Sequence, residues 1–130
     1  MTKIRTLLSI IKTDPVNPNQ ISLGFIKNDE SLDSIVSTIK KGDGSAMTAL
    51  KLATEYVDVD VEWLDIQQVG FFDNKKEDTV ILAYRIRIPS TISMHKEPFW
   101  VAMEELKDIH EQIEPGELQI QLLSLIHISE

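Results

Sequence analysis

Residues 41–59, KGDGSAMTALKLATEYVDV, combine a glycine-marked loop with an amphipathic helix that carries few acids. Asp43 in the loop and Glu55 near the helix end have the hard oxygen atoms that Mg²⁺ prefers. A helix that holds such an ion presents carboxylates at i, i+3 and i+4, which share one face. Between Ser45 and Val57, however, Glu55 is the sole acid. The segment therefore offers two candidate oxygen ligands, Asp43 and Glu55, which are fewer than a magnesium ion usually has.

Other candidate groups lie on a later predicted strand. Arg85 and Arg87 project from one face of it, and Tyr84 projects from the other. Paired guanidinium groups can hold phosphate oxygens in bidentate geometry, although two strand arginines are more often a solvated face. His95 and His110 are isolated in the sequence, without the spacing of a metal-binding pair. Arg85, Arg87 and Tyr84 are therefore the candidate ligand-binding residues.

Composition limits the classes of protein that remain. The chain has 130 residues, of which 42% are hydrophobic, as expected for one globular domain. Its net charge is -8. The acidic balance argues against a general nucleic-acid binder, which neutralises phosphates with Lys and Arg. No cysteine is present, so disulfides and thiolate zinc sites are excluded. No apolar run approaches the roughly 20 residues of a membrane span, and a cytoplasmic location is expected.

Hydrophobic periodicity predicts an α+β domain. The strands are predicted at residues 4–12, 21–26, 35–39, 63–72, 79–88 and 97–101, and the helices at 46–57, 102–113 and from 114 onward. The first helix has an apolar stripe of Ala46, Ala49, Leu50, Ala53 and Val57 at helical spacing. We expect Ser45 or Asp43 to cap its start.

The C-terminal residues 123–130, LSLIHISE, are treated separately. They look like the translation of a sequencing-library adapter, so His127 is left out of the site. The expected domain is therefore residues 1–122, in a natural chain that continues beyond them.

Three stretches give the chain a family resemblance. They are KKGDGSAMTALKLATEYVDVDV at residues 40–61, IQQVGFFDNKKEDTVILAYRIRIP at 66–89 and EPFWVAMEEL at 97–106. In this order they resemble the Nudix, or MutT-like, hydrolases, in particular the ADP-ribose-pyrophosphatase type. The resemblance implies a mixed β-sheet sandwiched between helices. The first stretch falls at the family's box, GX5EX7REUXEEXGU.

The resemblance implies Mg²⁺-dependent hydrolysis of a diphosphate linked to another moiety. Asp43 falls at the loop glutamate of the box, Leu52 at the first helical glutamate, and Glu55 and Tyr56 at the closing pair. Asp43 and Glu55 remain as candidate metal ligands, with Glu55 as the residual catalytic acid. Leu52 and Tyr56 lack the family's carboxylates, so the box is degenerate. They are expected to widen the core or, alternatively, to line a ligand pocket.

These features lead to one main expectation and three alternatives. The main expectation is a domain that recognises a nucleoside-diphosphate-linked, ADP-ribose-like compound with weak or no hydrolysis. The first alternative is an active Mg²⁺-dependent hydrolase that recruits loop acids such as Asp73, Glu77 or Asp78. The second is an interaction module without a small ligand, for example a homodimer through strand and helix faces. The third is the sensor half of a longer regulator.

Overall fold

The computed structural model describes residues 2–126, which form a mixed β-sheet with helices on both faces. The strands are β1 (Lys3–Thr13), β2 (Ile21–Lys27), β3 (Leu32–Asp33), β4 (Ile35–Thr38), β5 (Gln67–Asn74), β6 (Thr79–Pro89) and β7 (Phe99–Ala102). The helices are α1 (Ser45–Tyr56), α2 (Leu106–Ile109) and α3 (Pro115–Ile126). The main strand order is β3-β2-β1-β6-β5, with β4 paired to β1 and β7 paired to β2. This arrangement confirms the predicted α+β fold.

Strand β1 is the centre of the sheet. It runs parallel to β6 from the Lys3–Thr79 pair to the Thr13–Pro89 pair, and antiparallel to β2 and β4. Its residues 6–11 are buried on both faces, which explains why the sequence there is a nearly continuous apolar run and not an alternating one. The neighbouring strands and both helix layers are therefore built around β1.

The two faces of the sheet carry separate helices. Leu8 and Ile10 of β1 pack with α1, together with Tyr84 and Ile86 of β6. On the other face, Leu7, Ile81 and Ala83 pack with Ile120 of α3. Because successive residues of a strand point to opposite faces, β1 and β6 supply both halves of the core. The predicted sandwich of a sheet between helices is confirmed.

Helix α1 is rotated relative to the predicted stripe. Its buried residues are Thr48, Ala49, Leu52, Ala53 and Tyr56, whereas Ala46 is exposed and Leu50 is half-buried. Of the predicted stripe, Ala49, Ala53 and Val57 are buried as expected, and the prediction is wrong for Ala46 and Leu50. Leu52 and Tyr56 offer more apolar surface than the alanines, so the sheet buries the face that contains them.

The start of α1 also differs from the prediction. Gly44 is the N-cap residue, and no side chain caps the helix. Ser45 Oγ lies 2.5 Å from Tyr84 Oη, and Asp43 Oδ2 accepts a hydrogen bond from Lys51 Nζ at 2.9 Å. The expectation that Ser45 or Asp43 caps the helix is therefore wrong, because both side chains have other partners.

Three further boundaries depart from the sequence prediction. Strand β5 begins at Gln67, whereas the predicted strand began at residue 63. Residues 61–63 form a short 3-10 turn, in which Trp63 is 78% exposed. The predicted second helix is broken into α2 and two flanking 3-10 turns, and Met103 is exposed. The two-residue strand β3 was not predicted.

Helix α3 is held to the sheet by polar contacts. Gln121 is fully buried, accepts a 2.6 Å hydrogen bond from Ser9 Oγ, and donates to Ser34 Oγ at 3.3 Å. Glu117 accepts a 3.3 Å hydrogen bond from the backbone N–H of Ser34. The suspected adapter sequence includes the end of this helix, and its residues 127–130 lie outside the described residues. The domain boundary at 122 stays a prediction.

Glu117 should make the protein less stable as the pH rises. Burial raises the pKa of its carboxyl above 4.5, Glu114 and Asp33 raise it further, and hydrogen bonds from Ser34 oppose the shift. A raised pKa in the folded state favours folding below the unfolded pKa, and this contribution is lost as pH rises through the folded pKa. We expect Glu117→Gln to raise the urea midpoint at pH 7 and to lose this advantage below pH 4.5. The exposed control Glu111→Gln should show no such pH-dependent difference.

Leu52→Glu should destabilise the domain, because it would place a carboxylate where the side chain is 8% exposed. We expect a loss on the order of 2–4 kcal/mol from the lost apolar contacts and the desolvated charge. Met47→Glu is a matched control on the same helix, since Met47 is 47% exposed and surface changes usually stay within about 0.5 kcal/mol. Urea denaturation measures both, and equal stability of the two variants would contradict the burial of Leu52.

Candidate ligand site beside the first helix

Leu52 and Tyr56, the two helix positions where the resemblance expects metal-binding acids, belong to the core. Leu52 is 8% exposed and Tyr56 is 3% exposed, and both pack against β1 and β6. Glu55 projects outward between them and is exposed. The expectation that Leu52 and Tyr56 widen the core is confirmed, although both also touch a cavity. Their apolar contacts leave no carboxylate on the buried side of the helix.

Asp43 and Glu55 meet in one small cavity on the flank of α1. The helix-flank cavity has a volume of about 140 Å³ and is lined by Ser37, Thr38, Lys40, Asp43, Thr48, Lys51, Leu52 and Glu55. Its two carboxylates are matched by two lysines, and Asp43 already pairs with Lys51 at 2.9 Å. The sequence prediction therefore identified two residues that share a cavity, but it did not anticipate their lysine neighbours.

A magnesium site does not fit these residues. Within residues 2–126, no three His, Asp or Glu side chains are grouped so that they could hold a metal ion. Asp73, Glu77 and Asp78, the proposed loop recruits, do not line the helix-flank cavity. They lie at the β5–β6 hairpin, where Asp78 accepts a hydrogen bond from Thr2 Oγ1 at 2.9 Å. Mg²⁺ needs several oxygen ligands in near-octahedral geometry, which Asp43 and Glu55 alone do not supply.

The structure does not bring Tyr84, Arg85 and Arg87 together. Tyr84 is buried against α1, whereas the strand alternation places both arginines on the opposite face of β6. Arg85 Nε donates to Gln67 Oε1 on β5 at 3.1 Å, and Arg87 is exposed. None of the three residues lines the helix-flank cavity or the larger cavity at the C-terminal end of α1. Their role as ligand-binding residues remains a prediction that this geometry does not favour.

The larger cavity at the C-terminal end of α1 has a volume of about 370 Å³, within the usual range of roughly 300–1,000 Å³ for small-molecule sites. We call it the lysine cavity, and its lining residues are Phe25, Ile26, Lys27, Tyr56, Lys96, Glu97, Pro98 and Phe99. Lys27 Nζ lies 4.6 Å from the centre of the Phe99 ring, and Lys96 Nζ lies 5.1 Å from that of Tyr56. Each ammonium group is thus placed over an aromatic ring.

The loop that carries Lys96 is fixed at several points. The backbone N–H of His95 donates to the carbonyl oxygen of Tyr56 at 2.8 Å, at the end of α1. Glu97 Oε2 accepts a 2.7 Å hydrogen bond from Trp100 Nε1. Pro98 is buried and packs directly on Gly24 of β2. These contacts shape the cavity from within the chain itself.

Sequence reasoning did not find Lys27 and Lys96. They are 69 positions apart, neither belongs to a motif, and single surface lysines are common. The Trp100 stretch was recognised by its resemblance, but its hydrogen bond to Glu97 was not predictable from it. The two lysines line one cavity because β2 pairs antiparallel with β7, a contact that includes the Phe25–Phe99 pair.

Gly24→Ala should destabilise the protein and disturb the lysine cavity. An added Cβ would lie 2.9 Å from Pro98 Cγ and 3.1 Å from its Cβ, so the loop would have to shift. We expect a loss of about 1–3 kcal/mol, typical of overpacking. Gly70→Ala is the matched control in a strand, because nothing lies within 4 Å of its added Cβ. If urea denaturation gave equal losses, the close approach of Pro98 would be unimportant.

The sequence matches no protein-family model and no curated protein. The fold, however, is similar to many solved structures. One is the C-terminal domain of mouse MUTYH, in a complex with human PCNA: the TM-score is 0.72 at 9% identity, over 98% of this chain and 90% of that one.

Two other similar structures are those of a Nudix domain and of a hydrolase. The NUDIX domain of Shewanella oneidensis NrtR, complexed with ADP ribose, gives a TM-score of 0.68 at 11% identity, over 98% of this chain and 89% of that chain. The C. elegans Ap4A hydrolase gives 0.67 at 13% identity, over 97% of this chain and 99% of that chain. At these identities the likeness establishes the architecture, and the chain therefore has a Nudix-like fold.

Proposed function

We propose that this domain binds a nucleoside-diphosphate-linked compound of the ADP-ribose type beside α1 and hydrolyses it weakly or not at all. The observation that carries the proposal is the burial of Leu52 and Tyr56 at the positions where the resemblance places metal-binding acids. The helix keeps its place in the fold, and a cavity of about 370 Å³ remains at its end. Loss of the acids removes the catalyst while leaving room for a ligand.

The absence of hydrolysis follows from what a metal ion does in this chemistry. A bound metal neutralises phosphate charge and lowers the pKa of a water molecule that can then attack. Asp43 is paired with Lys51, and Glu55 is exposed. Within the described residues, no third carboxylate joins these two to complete a metal site. No side chain that lines the lysine cavity is a histidine, and Glu97 is held by Trp100. The cavity therefore lacks a positioned base.

A nucleoside-diphosphate ligand is favoured by two lines of support. One is the composition of the lysine cavity, where two ammonium groups stand beside the rings of Tyr56 and Phe99. The other is the NrtR domain, which has the same architecture and was solved with ADP ribose. Because shared fold does not establish shared ligand, the cavity chemistry carries more weight.

The test is a thermal-shift screen with ADP-ribose, NAD, nucleoside triphosphates and dinucleoside polyphosphates, each with and without Mg²⁺. We expect ADP-ribose-type compounds to raise the melting temperature equally in both conditions, because a ligand that binds the folded state stabilises it. We also expect no AMP or phosphate to be released. Glu55→Gln should change neither result.

Two outcomes would contradict the proposal. Stabilisation that requires Mg²⁺, with turnover that disappears in Glu55→Gln, would indicate an active hydrolase with non-standard acids. No shift with any of these compounds would instead favour an interaction module. A charge-neutral sugar such as ribose is the control ligand and should give no shift.

A further inference from the structure

We propose that Lys27 and Lys96 form a metal-independent binding site for a diphosphate or polyphosphate group. The two ammonium groups take over the charge neutralisation that a divalent metal ion performs in a metal-dependent site. The identity of the complete ligand rests on the proposed function, whereas the anion site rests on the cavity alone.

The charges that face the lysine cavity favour an anion. Lys27 and Lys96 contribute two positive charges, and Glu97 contributes one negative charge. The Glu97 carboxylate already accepts the Trp100 N–H at 2.7 Å, so part of its hydrogen-bonding capacity is used within the protein. The cavity is therefore net positive in a chain whose net charge is -8. Such a local reversal of sign concentrates anions at this place.

The position of Lys96 links the cavity to the degenerate box. Its Nζ lies 5.1 Å from the Tyr56 ring, and Tyr56 occupies one of the two closing acid positions that the resemblance assigns to the box. An ammonium group thus stands beside a position where a carboxylate would otherwise attract a cation. Lysine is a compact point charge with three donors, a form that suits phosphate oxygens.

The surroundings of the two lysines add to the effect of their charges. Phe25 and Tyr56 are buried, Pro98 is buried against Gly24, and these groups give the cavity an apolar lining. Charge–charge attraction is stronger beside a wall of low dielectric than in open water. The lysine side chains themselves are exposed, so each ammonium group is accessible to an anion without displacement of the core.

The other cavities are less suited to a diphosphate. The helix-flank cavity is smaller, at about 140 Å³, and its two lysines are balanced by Asp43 and Glu55. The cavity beside Trp63 is lined by Asp58 and Asp60 and contains no lysine or arginine. The groove around Met103 is mainly apolar, with a single lysine. Of these cavities within residues 2–126, the lysine cavity alone combines size with net positive charge.

The test measures binding of inorganic pyrophosphate by isothermal titration calorimetry in the presence of EDTA. We expect the wild-type protein to bind without metal, with an affinity that falls as salt is raised. Lys27→Gln and Lys96→Gln remove each charge while keeping most of the side-chain stem. Each should weaken binding about fivefold, the upper range for one exposed ion pair, and the double variant should weaken it further. Lys96→Arg should retain most of the affinity.

The matched control is Lys107→Gln, an exposed lysine on α2 outside this cavity. It should bind pyrophosphate as the wild type does, and all variants should keep the wild-type melting temperature. Pyrophosphate binding that needs Mg²⁺, or that survives unchanged in the double variant, would overturn the anion site. Loss of binding in Lys40→Gln but not in Lys96→Gln would also overturn it, by assigning the anion to the helix-flank cavity.

The two proposals can fail separately. If pyrophosphate binds through the lysines but no nucleoside-diphosphate compound binds, the proposed function is wrong and the anion site stands. If ADP-ribose binds the double variant as tightly as the wild type, the anion site is wrong and the proposed function stands.

Discussion

The packing of α1 on strands β1 and β6 is the constraint on which the rest of the structure depends. Leu52 and Tyr56 fill the space between this helix and the sheet, beside Leu8 and Ile86. A carboxylate at either position would have to be desolvated inside the core, which is unfavourable without a paired cation. The apolar side chains of Leu52 and Tyr56 therefore favour the packing of α1 on the sheet.

The same helix also fixes the loop that forms the candidate site. Backbone hydrogen bonds join the end of the helix to the loop. The N–H of His95 donates to the carbonyl oxygen of Tyr56, and the N–H of Asp58 donates to the carbonyl oxygen of Ser93. Gly24 and Trp100 hold the other end of the loop. A cavity that is shaped in this way before binding loses less conformational entropy when a ligand enters. The end of α1 thus contributes both to the packing of the fold and to the shape of the lysine cavity.

The sequence predicted the architecture better than the site. The apolar runs of β1 and β6 identified their strands correctly, because burial on both faces leaves a clear signal. The stripe of α1 was predicted correctly at Ala49, Ala53 and Val57 and wrongly at Ala46 and Leu50, because the buried face is turned toward Leu52 and Tyr56. The presence of Lys27 and Lys96 at one cavity depends on contacts between distant segments. Such contacts leave no local pattern, so the sequence did not indicate this cavity.

Everything proposed for the site depends on the claim that α1 does not bind a divalent metal ion. The most direct measurement is a titration with Mn²⁺, a paramagnetic substitute for Mg²⁺, followed by electron paramagnetic resonance of the free ion. We predict no site with sub-millimolar affinity, and the same titration curve for wild type and Glu55→Gln. One saturable sub-millimolar site that disappears in Glu55→Gln would contradict this central claim.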